Sequence, residues 1–130
     1  PLATSVANAM TFRLDPSPTP HDEPQLRHKT TRRTVYVAAR ERVPDAEETL
    51  LVNERGELME FTIGNLVLKF GDDHVTPPRS SGCLGGVTRA RALEEGRIRE
   101  RVCTAEDLER AEAVYLVNAV RGWVPMVWSR

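Results

Sequence analysis

Four short segments carry residue types whose chemistry goes beyond what a folded surface requires. The first is His28-Lys29-Thr30-Thr31-Arg32-Arg33. A lysine can condense with an aldehyde cofactor and then move protons, provided burial or neighbouring cations hold down its ammonium pKa. Arg32 and Arg33 could do that and also attract an anionic substrate, although a basic cluster is ordinarily a solvated surface patch. The second is Glu60, within Glu57-Leu58-Met59-Glu60-Phe61-Thr62. A carboxylate that holds a proton on a pyridine nitrogen makes that ring an electron sink, whereas a strand glutamate ordinarily faces solvent. The third, Ser81-Gly82-Cys83-Leu84-Gly85-Gly86-Val87-Thr88-Arg89, is a small-residue loop running into a helix start. Free amides and the helix dipole favour an anion there, and the Thr88 hydroxyl adds a donor. It lacks the spacing of a Walker or Rossmann glycine motif, so no nucleotide is indicated. The fourth is Val117-Asn118-Ala119-Val120-Arg121-Gly122, polar residues after an apolar run, where enzymes often place ligands and where plain turns also occur.

The elements that must position these residues follow from periodicity. Met10 to Leu14 alternates as a half-buried strand, and the proline-rich Asp15 to Pro24 is an extended loop. A helix is predicted from Thr30, capped by Thr30 or Thr31 and stopped by Pro44. Thr49 to Val52 and Leu58 to Phe61 form a hairpin around Asn53-Glu54-Arg55-Gly56, where glycine supplies positive φ. Asn65 to Lys69 and His74 to Thr76 form a second strand pair. Thr88 to Glu95 is helical with Gly96 as its stop, and Thr104, Glu106 and Asp107 begin a short helix through Ala111. Ala113 to Val117 is another buried strand. The expected class is α+β, with a mixed or antiparallel sheet and three short helices.

At 130 residues with 40% hydrophobic content the chain fits one domain. Its 18 basic and 19 acidic residues are interspersed, which argues against a nucleic-acid partner. No apolar run is long enough to span a bilayer, and Cys83 and Cys103 lack metal or redox spacing, so they read as small hydrophobes and no metal is expected. A reduced, cytoplasmic protein with a small-molecule substrate and no membrane partner is expected. Pro1 in place of Met, with an opening segment to Ala9 that lacks capping or period, suggests a processed or truncated start.

From Leu26 to Pro125 the order of these motifs resembles the pyridoxal phosphate (PLP) enzymes of fold type IV, the family of branched-chain aminotransferases and aminodeoxychorismate lyase. His28-Lys29-Thr30-Thr31 with Arg33 resembles the lysine-bearing segment. Asn53-Glu54-Arg55-Gly56-Glu57 leading to Glu60 and Asn65-Leu66 resembles the family hairpin, and Thr76-Pro77-Pro78 with Ser81-Gly82 and Leu84 to Arg89 resembles the phosphate loop. The resemblance implies Lys29 as cofactor anchor and proton carrier, Glu60 at the pyridine nitrogen, and Leu84 against the ring. It also implies Val87 and Thr88 at the phosphate, Asn118 and Ala119 at the cofactor, and Arg33 and Arg121 at the substrate. The implied fold is the large domain of D-amino-acid aminotransferase-like proteins, a pseudo-barrel.

His28-Lys29-Thr30-Thr31 and Asn118-Ala119-Val120-Arg121-Gly122 resemble the lyase more than the transaminases. Three positions depart from the pattern: Gly85 replaces a common proline, Arg32 stands where lyases often have asparagine, and Met59 precedes Glu60 where a small or hydroxyl residue is usual. The implied function is release of pyruvate and 4-aminobenzoate from 4-amino-4-deoxychorismate, a folate-pathway step. The alternatives are a class IV transaminase of branched-chain or D-amino-acid type, or a catalytically silent truncated domain. Residues 1–24 are expected to be a strand and proline-rich loop, and residues 25–130 the PLP-binding domain. The family's smaller N-terminal domain is expected to be absent, and the partner a second copy or that missing domain.

Overall fold

The dipeptides Leu50-Leu51, Leu58-Met59, Leu66-Val67 and Leu116-Val117 place a large apolar side chain on each face of a strand, so these strands must be covered on both sides. The computed structural model, which describes residues 9–130 and of Lys29 the backbone alone, provides that cover. The opening Pro1 to Asn8, which includes most of the segment expected to be processed or truncated, lies outside the described residues.

Among the described residues eight strands form one mixed sheet: β1 (Met10–Leu14), β2 (Glu48–Val52), β3 (Leu58–Phe61), β4 (Asn65–Phe70), β5 (Asp73–Thr76), β6 (Arg99–Glu100), β7 (Ala113–Asn118) and β8 (Gly122–Trp128). The order across the sheet is β3-β2-β1-β8-β7-β4-β5-β6, and the sheet curls into a half-barrel. β1 runs parallel to both neighbours and β5 parallel to β6, while the remaining pairs are antiparallel. Among the described residues three α-helices accompany it: α1 (Lys29–Arg42), α2 (Val87–Glu94) and α3 (Ala105–Arg110). β1 is an interior strand of the sheet, held between β2 and β8.

The largest apolar cluster includes Phe12, Leu50, Leu58, Phe61, Leu66, Leu68 and Leu116, with Phe12 and Phe61 edge to face at 5.2 Å. On the opposite face, Leu51 and Met59 meet Ala39 of α1 and Leu26, and Val67 and Val117 meet Ala92 of α2 and Ile98. The doubled apolar dipeptides are thereby resolved into one inner and two outer clusters. α1 is fastened at its C-terminal end by Arg42, whose guanidinium makes two 2.7 Å bonds to the buried carboxylate of Asp15 at the end of β1.

The helix start expected from the sequence needs correction, and one strand lies beyond the elements read there. α1 begins at Lys29 with His28 as its cap residue and no side-chain cap; the Thr31 hydroxyl donates to the Gln25 carbonyl at 2.7 Å instead of accepting from an amide. The apolar end, Gly122–Trp128, is a full strand despite Pro125. Its pairing with β1 begins only at Met126, so Pro125 lies just outside that ladder. The capping box at Thr104 and Asp107 is present as expected.

Replacing Phe12 with Ala should cost about 3–5 kcal/mol, because it empties a fully buried ring site in the main cluster. Urea denaturation should show a lowered midpoint at an unchanged slope.

Candidate functional site

Glu60 is 3% exposed although it is charged and lies on a strand. The pairing of β2 with β3 explains its position. Val52 opposes Leu58 and Leu50 opposes Phe61, so Met59 and Glu60 together face the single residue Leu51. This is a β-bulge, and the extra residue breaks the alternation that would otherwise turn Glu60 away from Met59. Both side chains are delivered to the α1 side of the sheet. Met59 packs in the outer cluster with Leu51, and Glu60 meets α1.

Three donors from two elements satisfy the Glu60 carboxylate. From α1, Arg32 Nη1 donates to Oε2 at 2.8 Å and the Tyr36 hydroxyl donates to the same oxygen at 2.7 Å. From the loop before α2, the Leu84 amide donates to Oε1 at 3.1 Å. Burial pushes the Glu60 carboxyl above the ordinary carboxylate range, and the Tyr36 hydroxyl, Arg32 and the Leu84 amide pull it back. The Tyr36 phenol lies above its ordinary value, first through burial and then through the neighbouring Glu60 charge, so it stays a neutral donor.

The Leu84 segment is fixed on both sides. Its amide is held by Glu60, and its carbonyl accepts from Asn65 Nδ2 at 2.7 Å and from the Gly86 amide at 3.1 Å. Its side chain is left 49% exposed over the opening. A Cβ on Gly86 would lie 2.7 Å from Asn65 Oδ1, so any other residue there would push the Asn65 amide from its bond to the Leu84 carbonyl. Upstream, Asn53 Nδ2 donates to the Ser81 carbonyl and the Ser81 hydroxyl to Glu57, both at 3.0 Å, tying the loop to the hairpin turn.

α2 then starts with no side-chain cap and no acidic residue in its first turn. Among the described residues the amides of Val87, Thr88 and Arg89 donate no hydrogen bond. Arg89 turns away from them into the protein, where Nη2 donates to the Pro77 carbonyl and pairs with Glu100. A third segment completes the enclosure. Asn118 Nδ2 donates to the Ile63 carbonyl at 2.9 Å and its Oδ1 accepts from the Arg121 amide at 2.7 Å, joining the β7–β8 turn to the β3–β4 turn.

These segments enclose a cavity of about 300 Å³ whose walls include Tyr36, Glu60, Asn65, Leu84, Gly86, Val87, Thr88, Asn118 and Ala119. Six of the positions singled out in the sequence, Glu60, Leu84, Val87, Thr88, Asn118 and Ala119, therefore share one enclosure. Arg33 lines an adjoining cleft of about 800 Å³ with Arg40, Val37 and Pro44; this cleft shares Tyr36, Thr62, Ile63 and Leu84 with the cavity. The structure places Lys29 as the first residue of α1. Arg121 lies on the exposed β7–β8 turn with Nη1 3.4 Å from Met10 Sδ, and neither wall includes it. Arg32, read in the sequence as a free cation beside Lys29, is committed to Glu60, Tyr36 and the Leu26 carbonyl. Tyr36, Asn65 and Gly86 belong to the site yet carried little signal of their own, since each is also at home in an ordinary helix, strand or loop.

The donor set suits a planar ring carrying an anionic group: open amides at a helix N-terminus for the anion, and Glu60 Oε1, which accepts one bond and retains one acceptor direction, for a ring nitrogen. Both cysteines are buried, and burial first of all pushes the thiols up to about 11 at Cys83 and about 12 at Cys103. His21, Asp22 and Glu54 bring ligand atoms within 4.8 Å of one another, but His21 already bonds Glu54 through its amide at 2.9 Å and its ring at 2.7 Å.

Residues 3–127 match the family model for amino-transferase class IV. The chain belongs to this family. Class IV relatives carry more than one name. A curated Schizosaccharomyces pombe protein named "Putative aminodeoxychorismate lyase" is 30% identical over 129 residues, 93% of this chain and 56% of its own length. A Thermotoga maritima protein named "Probable branched-chain-amino-acid aminotransferase" is 29% identical over 103 residues, 75% of this chain and 38% of its own length. The solved structure of a "Putative amino-acid aminotransferase" from Mesorhizobium loti is 38% identical with a TM-score of 0.85, covering 93% of this chain and 60% of that one. The chain thus spans about half or less of the length of these curated class IV relatives. No helix among the described residues is long and apolar enough to cross a membrane.

Glu60→Leu should destabilise the fold by about 3–5 kcal/mol, since it strands Arg32, the Tyr36 hydroxyl and the Leu84 amide. Tyr36→Phe, which removes one of the three donors, should cost about 1 kcal/mol. Urea unfolding of the two variants beside the parent measures the difference.

Proposed function

We propose that this chain binds PLP in the 300 Å³ cavity and takes part in elimination of pyruvate from an aminodeoxychorismate-like substrate. The supporting observation is the convergence of Glu60, Leu84, Val87, Thr88, Asn118 and Ala119, from three separate segments, on that one enclosure. When bound, PLP supplies an electron sink for carbanion chemistry. In this reading Lys29 anchors it and takes the proton from the substrate's nitrogen-bearing carbon. Glu60 Oε1 accepts a hydrogen bond at the pyridine nitrogen, Leu84 packs on the ring, and Asn118 and Ala119 close the far wall. The Val87 and Thr88 amides, with the Thr88 hydroxyl, receive the phosphate. With that proton removed, cleavage of the neighbouring C–O bond aromatises the remainder to 4-aminobenzoate, and the enolpyruvate released takes a proton back from Lys29 to become pyruvate. Arg33 and Arg121 are the proposed substrate contacts. The adjoining cleft, which sets Arg33 and Arg40 beside Val37, Ile63 and Pro44, suits a substrate that joins a ring to an anionic group. A small-molecule substrate and assembly with a second copy or a small-domain partner belong to the same proposal, as does a cytoplasmic, folate-pathway setting.

A second reading, transamination with the same residues, is favoured by the name of the 38% identical Mesorhizobium loti protein. The two differ in what they consume. Elimination leaves no amino group on the cofactor, so pyruvate should form continuously from aminodeoxychorismate with no added keto acid. Strict dependence on 2-oxoglutarate would reject the lyase reading for the transaminase. Borohydride reduction in the presence of PLP followed by peptide mapping should place the adduct on Lys29; an adduct on Lys69 would reject the anchor.

Thr88→Val exchanges the hydroxyl for a near-isosteric methyl on a half-buried residue. It should weaken PLP binding by roughly tenfold, the effect of losing one hydrogen bond to a charged group, and leave the unfolding midpoint nearly unchanged. Equilibrium titration followed by cofactor absorbance measures the first, and denaturation the second.

A further inference from the structure

The site as proposed uses Glu60 and leaves Arg32 and Tyr36 without a stated role. Arg32 is held at three points. Its Nε donates to the Leu26 carbonyl at 2.8 Å, and its Nη1 donates to the Tyr36 hydroxyl at 2.7 Å and to Glu60 Oε2 at 2.8 Å. The Arg32 side chain is 12% exposed and that of Glu60 3%. Tyr36 donates its own proton to Oε2, closing a triangle of guanidinium, phenol and carboxylate. An oxygen with two lone pairs that accepts both bonds is saturated. Oε1 accepts only the Leu84 amide, and Glu60 lines the 300 Å³ cavity.

We propose that Arg32 and Tyr36 are positioning residues that take up Glu60 Oε2 completely and leave Oε1 as the one oxygen of an oriented carboxylate offered to a ring nitrogen in the cavity. This rests on reading the cavity as the cofactor site. The physical reason for such a device lies in burial. A carboxylate removed from water either finds donors or takes up a proton, and a protonated Glu60 could rotate and present a donor where an acceptor is needed. Arg32 supplies the compensating charge. Tyr36 stands one turn along α1 with the Arg32 guanidinium carbon 5.8 Å from its ring centroid, and its hydroxyl bond to Oε2 holds the carboxylate's orientation. Among the described side chains the other titratable group facing Glu60 is Cys83 of the loop, whose thiol stays neutral below about 11.

The test is an infrared titration of the cofactor-free protein, following the protonated-carboxyl band that disappears in Glu60→Gln. In Arg32→Met the Glu60 midpoint should move up by about 1–3 pH units, the effect of losing an adjacent guanidinium. Tyr36→Phe should move it up by less, and Arg32→Lys should restore most of the parent behaviour. A purely structural role would lower the unfolding midpoint without moving the band. An unmoved band in either Arg32→Met or Tyr36→Phe overturns the proposal, and the mild Tyr36→Phe change keeps the test open should Arg32→Met fail to fold. PLP absorbance titration of the parent separates the two ideas. If the band moves as expected but PLP does not bind, the cofactor reading falls and the clamp on Glu60 stands.

Discussion

The constraint on which the rest of the site depends is the burial of one carboxylate. Glu60 is brought to the α1 side by a bulge opposite Leu51, and a charge placed there has to be surrounded by donors. α1 docks so that Arg32 and Tyr36 reach it, and the 79–86 loop returns so that the Leu84 amide reaches it. That loop leads straight into the open amides of α2. The distance between a ring-nitrogen acceptor and an anion site is therefore set by a few residues of backbone, pinned at Leu84 by Glu60 and Asn65.

The sheet supplies the rigidity this arrangement needs. Its central strands are packed on both faces, by the inner cluster around Phe12 and Phe61 and by α1 and α2 outside. Two of the cavity walls come from turns between such strands: Thr62–Gly64 between β3 and β4, and Asn118–Ala119 where β7 leads into β8. Asn118 ties those turns together, and the buried Glu48 carboxylate binds the Thr62 amide at 2.6 Å from beneath. Loops hung on a doubly covered sheet lose less order when a ligand arrives than free loops would.

Much of this was legible in the sequence because the signals were local. The hairpin around Gly56, with φ of +78°, the strand at Leu66, the capping box at Thr104 and the stop at Gly96 all follow from neighbouring residues. What was not legible depends on pairing between distant strands. Glu60 on a strand reads as a solvent-facing residue until the register with β2 is known, because one extra residue reverses its direction. Arg32 reads as a free cation beside Lys29, yet its partner lies 28 positions away. β8 was missed as a strand because Pro125 interrupts its pattern, and β6 because it has only two residues. The convergence of Asn118 and Ala119 on the same cavity as Glu60 rested on family resemblance and could not come from spacing.

The most direct measurement is of where a bound cofactor lies, in a crystal structure of this protein grown with PLP. The predicted result is the phosphate on the Val87 and Thr88 amides, the ring nitrogen on Glu60 Oε1 and the Arg32–Tyr36 pair still on Oε2. A groove of about 660 Å³, lined by Arg27, Arg32 and Arg79 together with Asp22 and Glu23, offers the phosphate a competing place. Density for the phosphate in that groove, with Glu60 making no contact to the ring, would contradict the account.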